Sequence, residues 1–172
     1  MRLAIWTGVA AAALLAGCSP PGEAAKVDPA PRVVAVSDIE QGRYLVKIGG
    51  CNDCHTPGFP QSGGATPEVQ WMTGNPVGYA GPWGVTYASN LRLTAQNLNE
   101  QDFVEMLNTR RASPPMPWHA VRAMHDADKR ALYRYLRSLG PAGAPAPAAL
   151  PPGMTPTTPY ENMMPVMPKA VG

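Results

Sequence analysis

Large apolar and charged side chains are both scarce in this chain. Aromatic residues fill 7% of its 172 positions, with only two Phe, and charged residues 15%. One domain of this size with so few bulky groups has a modest core and needs help to build it. Lys and Arg exceed Asp and Glu by only two, which leaves no electrostatic case for nucleic acid as a partner. The strongly apolar run at residues 3–16 is 14 residues long, short of the roughly 20 that cross a bilayer. These shortages exclude a multidomain enzyme, a multi-span membrane protein and a collagen-like fibre. What the chain has in quantity is Pro, 21 residues, and Gly, 17, a heavy load for a compact domain. Cysteine occurs three times, and each position carries information.

Residues 1–17 have the proportions of a secretory signal, with Arg2 as the positive start and an uncharged stretch behind it. The stretch ends in Leu15-Ala16-Gly17-Cys18, which resembles the lipobox of bacterial lipoproteins, whose cysteine is acylated and becomes the first mature residue. That resemblance implies a lipid anchor on Cys18 and a site on the periplasmic face of a bacterial membrane, held there without spanning it. The plainer alternative is an ordinary cleaved signal that contains a Cys. Export leaves thiols as disulfides, metal ligands or other covalent links.

Residues 18–36 are rich in Pro and Ala without a period and read as a flexible linker. Residues 37–140 hold the helical punctuation. Ser37 and Glu40 form a capping box, and the helix they start stops at Gly49-Gly50. A second helix opens at Asn99 and places Phe103, Met106 and Leu107 on one face. A third opens near Asp126 with Leu132, Tyr135, Leu136 and Leu139 on one stripe, and a short one spans residues 118–124. No alternating strand pattern is visible, and residues 56–90 read as a long Gly/Pro loop. Such a loop suits a fold whose centre is filled by a large apolar group that is not protein. The tail, residues 141–172, has only Glu161 and Lys169 as charges and cannot be a packed unit of its own. A strap packing back on the domain or on a neighbouring subunit is the plain account of it. Its four Met (154, 163, 164 and 167) lack the His or Cys that a copper site would add.

Cys51-Asn52-Asp53-Cys54-His55 is a C-x-x-C-H motif, the attachment site of a c-type haem. Two thiols three positions apart reach two vinyl groups to form thioethers, and the next imidazole is carried under the ring toward iron. A thioredoxin-type pair wants a strand before the motif, whereas here a helix ends. Zinc needs two more ligands, and only the distant His119 and His125 remain. A structural disulfide is the third alternative. For the opposite side of iron the candidate is Met116, set in Ser113-Pro114-Pro115-Met116-Pro117-Trp118, where three prolines make a stiff extended strap. Met106 reads as core and His125 as a surface or capping residue. Trp83, Tyr87 and Trp118 are candidates to wall the haem, and Asn90, Arg110 or Arg111 to bind a propionate. Residues 110–137 carry seven basic groups against Asp126 and Asp128. They form either a solvated helix face or a docking surface for an acidic redox partner.

On these residues the stretch 37–140 resembles a class I c-type cytochrome. Gly81-Pro82-Trp83-Gly84, Ala88-Ser89-Asn90-Leu91 and Pro115-Met116-Pro117-Trp118 look like bacterial single-haem modules attached to periplasmic dehydrogenases. The resemblance implies an all-α fold wrapped around one covalently bound haem c, with long Gly/Pro-rich loops and paired terminal helices approaching through Gly42. It also implies a one-electron carrier rather than an enzyme, with a dehydrogenase or oxidase as redox partner. The alternatives are a fixed electron-transfer subunit of a dehydrogenase complex, and a haem sensor or small peroxidase.

Overall fold

A computed structural model describes residues 32–168. The signal segment, Cys18 and most of the linker lie outside the described residues, as do residues 169–172. Helix α1 (Asp38–Ile48) begins at Ser37, whose Oγ accepts the Glu40 N–H at 3.2 Å. Helix α6 (Asp126–Ser138) begins at His125, whose Nδ1 accepts the Ala127 N–H at 3.0 Å, the capping role expected of it. These two helices pack directly on each other. A Cβ on Gly42 would stand 2.2 Å from the Ala131 carbonyl oxygen and 2.6 Å from the Tyr135 Cβ, so only glycine permits this approach. Leu45 and Val46 of α1 and Ala131, Leu132, Tyr135 and Leu136 of α6 are buried at the contact, with Phe103, Leu107, Ala95, Trp71 and Met72 completing the core.

Between α1 and α6 lie α2 (Cys51–His55), a 3-10 turn (Glu68–Gln70), α3 (Leu91–Asn97), α4 (Glu100–Thr109) and α5 (Trp118–Ala123). Asn90 and Asn99 cap α3 and α4 by accepting the Leu93 and Asp102 N–H groups at 3.0 and 2.9 Å. Arg92 at the start of α3 is buried and donates to the carbonyls of Val69, Leu139 and Gly140. It thereby satisfies the free C-terminal end of α6 and ties the middle loop to it. No helix among the described residues is long and apolar enough to cross a membrane.

The all-α expectation is corrected by a small mixed sheet. Strands β1 (Gly78–Gly81) and β2 (Gly84–Tyr87) form an antiparallel hairpin, and β3 (Tyr160–Asn162) from the tail pairs in parallel with β1, giving the order β2-β1-β3. These strands have only four, four and three residues, too few for a period of two to register, and they are held by backbone pairing between segments distant in sequence. The residues 56–90 are therefore not one structureless loop.

The tail lies back on the domain. Val85 and Leu150 exchange both backbone hydrogen bonds at 2.9 Å, and the Tyr87 hydroxyl meets Thr158 Oγ1 at 2.9 Å. The Asn90 side chain donates to the Ala142 and Ala144 carbonyls. At Gly84 the backbone has φ +97°, and an added Cβ would fall 2.0 Å from the Leu150 oxygen.

Gly42→Ala is expected to lower stability by about 1–3 kcal/mol through overpacking against backbone, read as a lowered urea midpoint. Gly84→Ala is expected to loosen the tail, so that limited proteolysis followed by mass spectrometry finds earlier cleavage within residues 141–159 than in the parent. A tail cut equally fast in both proteins would show that it is not held at Gly84.

Candidate functional site

Gly49 and Gly50 end α1 and turn the chain into α2, with Gly50 at φ +62°. One helical turn then carries Cys51, Cys54 and His55. The two cysteines are free thiols and half-buried, while His55 is buried. Burial pushes the Cys51 thiol up to about 11. A redox-active C-x-x-C pair needs the opposite, a thiol lowered toward neutrality. Burial, with the neighbouring Cys54 thiol, raises the Tyr79 phenol on β1 above its ordinary range.

His55 is oriented from behind. Its Nδ1 stands 2.7 Å from the Ser89 carbonyl oxygen just beyond β2, so Nδ1 carries the proton and donates it. Burial lowers the imidazole pKa, with the Ser89 carbonyl opposing, and favours the neutral ring. Nε2 makes no hydrogen bond with the described residues and keeps its lone pair. A neutral ring fixed in one tautomer by a carbonyl on its far nitrogen is the state in which histidine binds a metal.

A second network holds the motif to the loop behind it. Thr56, fully buried, donates to Asn52 Oδ1 at 2.7 Å and accepts the Met72 N–H at 2.8 Å. The Gly74 N–H reaches the His55 carbonyl at 2.9 Å. Met72 itself is core, at 1% exposure, and its φ of +62° is held by these bonds.

Met116 lies on the strap between α4 and α5. It is half-buried and lines a cavity of about 410 Å³ together with Trp118, His119, Arg111 and Arg122. The strap and α2 are joined through one short segment: Thr86 Oγ1 donates to the Pro114 carbonyl at 2.6 Å, and Ser89 three residues later accepts from His55.

The other sequence candidates fall into separate roles. Trp118 walls the cavity, with the Arg110 guanidinium 5.2 Å above its ring. Trp83 folds over Gly81 of its own hairpin, and Tyr87 anchors the tail. Asn90 uses its oxygen on α3 and its nitrogen on the tail, so it is a capping and tethering residue and the propionate role falls away. The basic run divides. Lys129 is buried on Asn108, Asp126 and the Arg122 carbonyl, and Arg130 and Arg134 pair with Glu100. Arg137 reaches the Ala95 and Gln96 carbonyls, while Arg110, Arg111 and Arg122 have no carboxylate partner among the described residues and cluster at the strap. Sequence reasoning gives no role to Thr56, Tyr79, Thr86 or Ser89, although Ser89 lies in the Ala88-Ser89-Asn90-Leu91 stretch.

The residues present fit a c-type haem. Two unpaired thiols stand at i and i+3 beside an imidazole with a free nitrogen, and the buried Asn52 Nδ2, Trp83 Nε1 and Trp118 Nε1 have no hydrogen-bond partner among the described residues. No three His, Cys, Asp or Glu side chains among the described residues converge as a bare-ion site of the kind zinc takes. In an alignment of 119 positions that takes in 64% of this chain, it is 30% identical to a protein of Pseudomonas putida named as a subunit of nicotinate dehydrogenase. The match spans 9% of that protein. No family model and no solved structure matches the chain.

Thr56→Val is expected to cost about 2 kcal/mol by orphaning the Met72 N–H and Asn52 Oδ1. Thr56→Ser is expected to retain most of the parent urea midpoint. Equal midpoints for the valine and serine variants would show that the hydroxyl network contributes nothing.

Proposed function

We propose that this chain is a one-electron carrier bearing a single c-type haem, joined through Cys51 and Cys54 and ligated by His55 and Met116. It serves as the electron-transfer subunit of a dehydrogenase, tethered to the periplasmic face of a membrane through Cys18. The observation that carries this reading is the His55 imidazole, neutral, buried and aimed by Ser89, on the same helical turn as two free thiols.

When bound, haem supplies a one-electron store, and a His/Met ligand pair raises its reduction potential. The chain's own part is to hold and to enclose. Cys51 and Cys54 are the covalent anchors, and Ser89 keeps the proton of His55 on Nδ1 so that Nε2 stays a donor of its lone pair. Met116 offers a thioether from a strap with little backbone freedom. Were His55 and Met116 both to hold the iron, the group would serve as an electron store without a position for substrate, which suits a carrier.

Similarity to a segment of a protein named as a nicotinate dehydrogenase subunit supports a dehydrogenase as the partner. The carboxylate-free arginines at the strap, Arg110, Arg111 and Arg122, suit an acidic docking face.

Met116→Ala is expected to abolish the near-red charge-transfer band of the ferric protein, to lower the midpoint potential and to admit carbon monoxide to the ferrous iron. The parent is expected to titrate as one one-electron wave and to exclude carbon monoxide at neutral pH. A parent that binds carbon monoxide readily would instead support a sensor or peroxidase. Gentle purification of the tagged protein from membranes is expected to bring down an oxidoreductase subunit in stoichiometric amount, and a lone haem protein would overturn the subunit assignment.

A further inference from the structure

Residues 110–117 form a strap in which Pro114, Pro115 and Pro117 have no N–H to contribute. Its ends are tied to the flanking helices. The Arg110 N–H reaches the Met106 carbonyl at 2.9 Å, and Arg122 Nη1 reaches the Arg110 carbonyl at 3.1 Å. At the other end the Trp118 N–H reaches the Met116 carbonyl at 2.8 Å, and Ala120 and Val121 donate to Pro117. Between these ends, among the described residues, one hydrogen bond touches residues 111–115. It is the 2.6 Å bond from Thr86 Oγ1 to the Pro114 carbonyl.

Stiffness alone does not place Met116. Arg111, Ala112 and Ser113 are exposed, so a rigid Pro114–Met116 segment can still swing about them as one piece. A bond to Pro114, two residues before Met116, removes that swing. The donor sits on a platform that cannot follow it, because β2 is paired with β1 on one edge and bridged to Leu150 at Val85. The same segment carries the Ser89 carbonyl that orients His55.

We propose that Thr86 is the positioning residue for Met116: its hydroxyl sets the strap's distance from the segment that also orients His55, so that both ligands are registered against one short stretch of chain. This rests on the reading of Met116 as an axial ligand. Threonine is suited because the contact needs a hydroxyl donor, which valine of the same shape lacks and serine keeps.

The test compares the purified haem-loaded parent with Thr86→Val, Thr86→Ser and Met116→Ala. Thr86→Val is expected to weaken the near-red band, to let added imidazole displace the native ligand about fivefold more readily, and to speed hydrogen exchange at the Met116 amide. Thr86→Ser is expected to match the parent in all three. A Thr86→Val protein with the parent's band, imidazole titration and exchange rate would overturn the proposal, provided that Met116→Ala has lost the band. If Met116→Ala keeps the parent's band, the axial assignment itself fails and the role of Thr86 falls with it. Valine and serine variants that are equally impaired would overturn the hydroxyl's part.

Discussion

The hydrogen bond between His55 Nδ1 and the Ser89 carbonyl is the constraint on which the site depends. It joins a helical turn near the start of the domain to a carbonyl just beyond β2, 34 residues later. It settles the tautomer and orientation of the imidazole at once, and it fits a ring that burial keeps neutral. For that bond to be useful, the Ser89 carbonyl must itself be held still. Much of the remaining architecture serves this end: the β1–β2 pairing, the Val85–Leu150 bridge, the Gly74 and Asn75 backbone bonds to His55 and Ala88, and the Asn90 cap on α3.

Two layers of support can be distinguished. The α1–α6 contact, possible because Gly42 lacks a side chain, is the frame that carries α2 at its edge. The sheet and the segment after β2 are the inner brace, joined by α2 at Ser89, by the Met116 strap at Thr86 and by the tail at Val85 and β1. A tail rich in Pro contributes here because its role is to lie along existing backbone: the Leu150 and Tyr160 segments pair with β2 and β1, and Thr158 meets Tyr87. A core with so few aromatic residues is thus supplemented by backbone pairing and by buried polar anchors such as Arg92, Asp128 and Lys129.

Helices α1, α4, α5 and α6 are legible in the sequence because their signals are local, whereas α3, opened by Asn90, is missed. Ser37, Asn99 and the Asp126 region announce starts within three or four residues, and Gly49-Gly50 and Gly140 mark ends. The C-x-x-C-H motif is legible for the same reason: three side chains within five residues share one turn. The sheet is not, since strands of three or four residues carry no readable period and their partners lie far off in the chain. The role of Ser89 escapes notice, although its stretch stands out, because it acts through a carbonyl, which every residue has. Thr86 bonds to a carbonyl at Pro114, so neither partner has a sequence signature. Polarity alone makes Asn90 a propionate candidate, whereas the helix start beside it takes its oxygen and the tail takes its nitrogen. The basic run looks uniform along the chain, but folding buries or pairs Lys129, Arg130 and Arg134, sets Arg137 on the carbonyls of α3 and leaves three arginines at the strap.

The central claim is that Cys51 and Cys54 are the covalent seats of one haem. Intact mass spectrometry of the exported protein under denaturing conditions tests it most directly, with peptide mapping to place the modification. The account predicts the chain plus one haem, with Cys51 and Cys54 both consumed in the same peptide. A bare chain, or one in which these two cysteines are joined to each other, would contradict it.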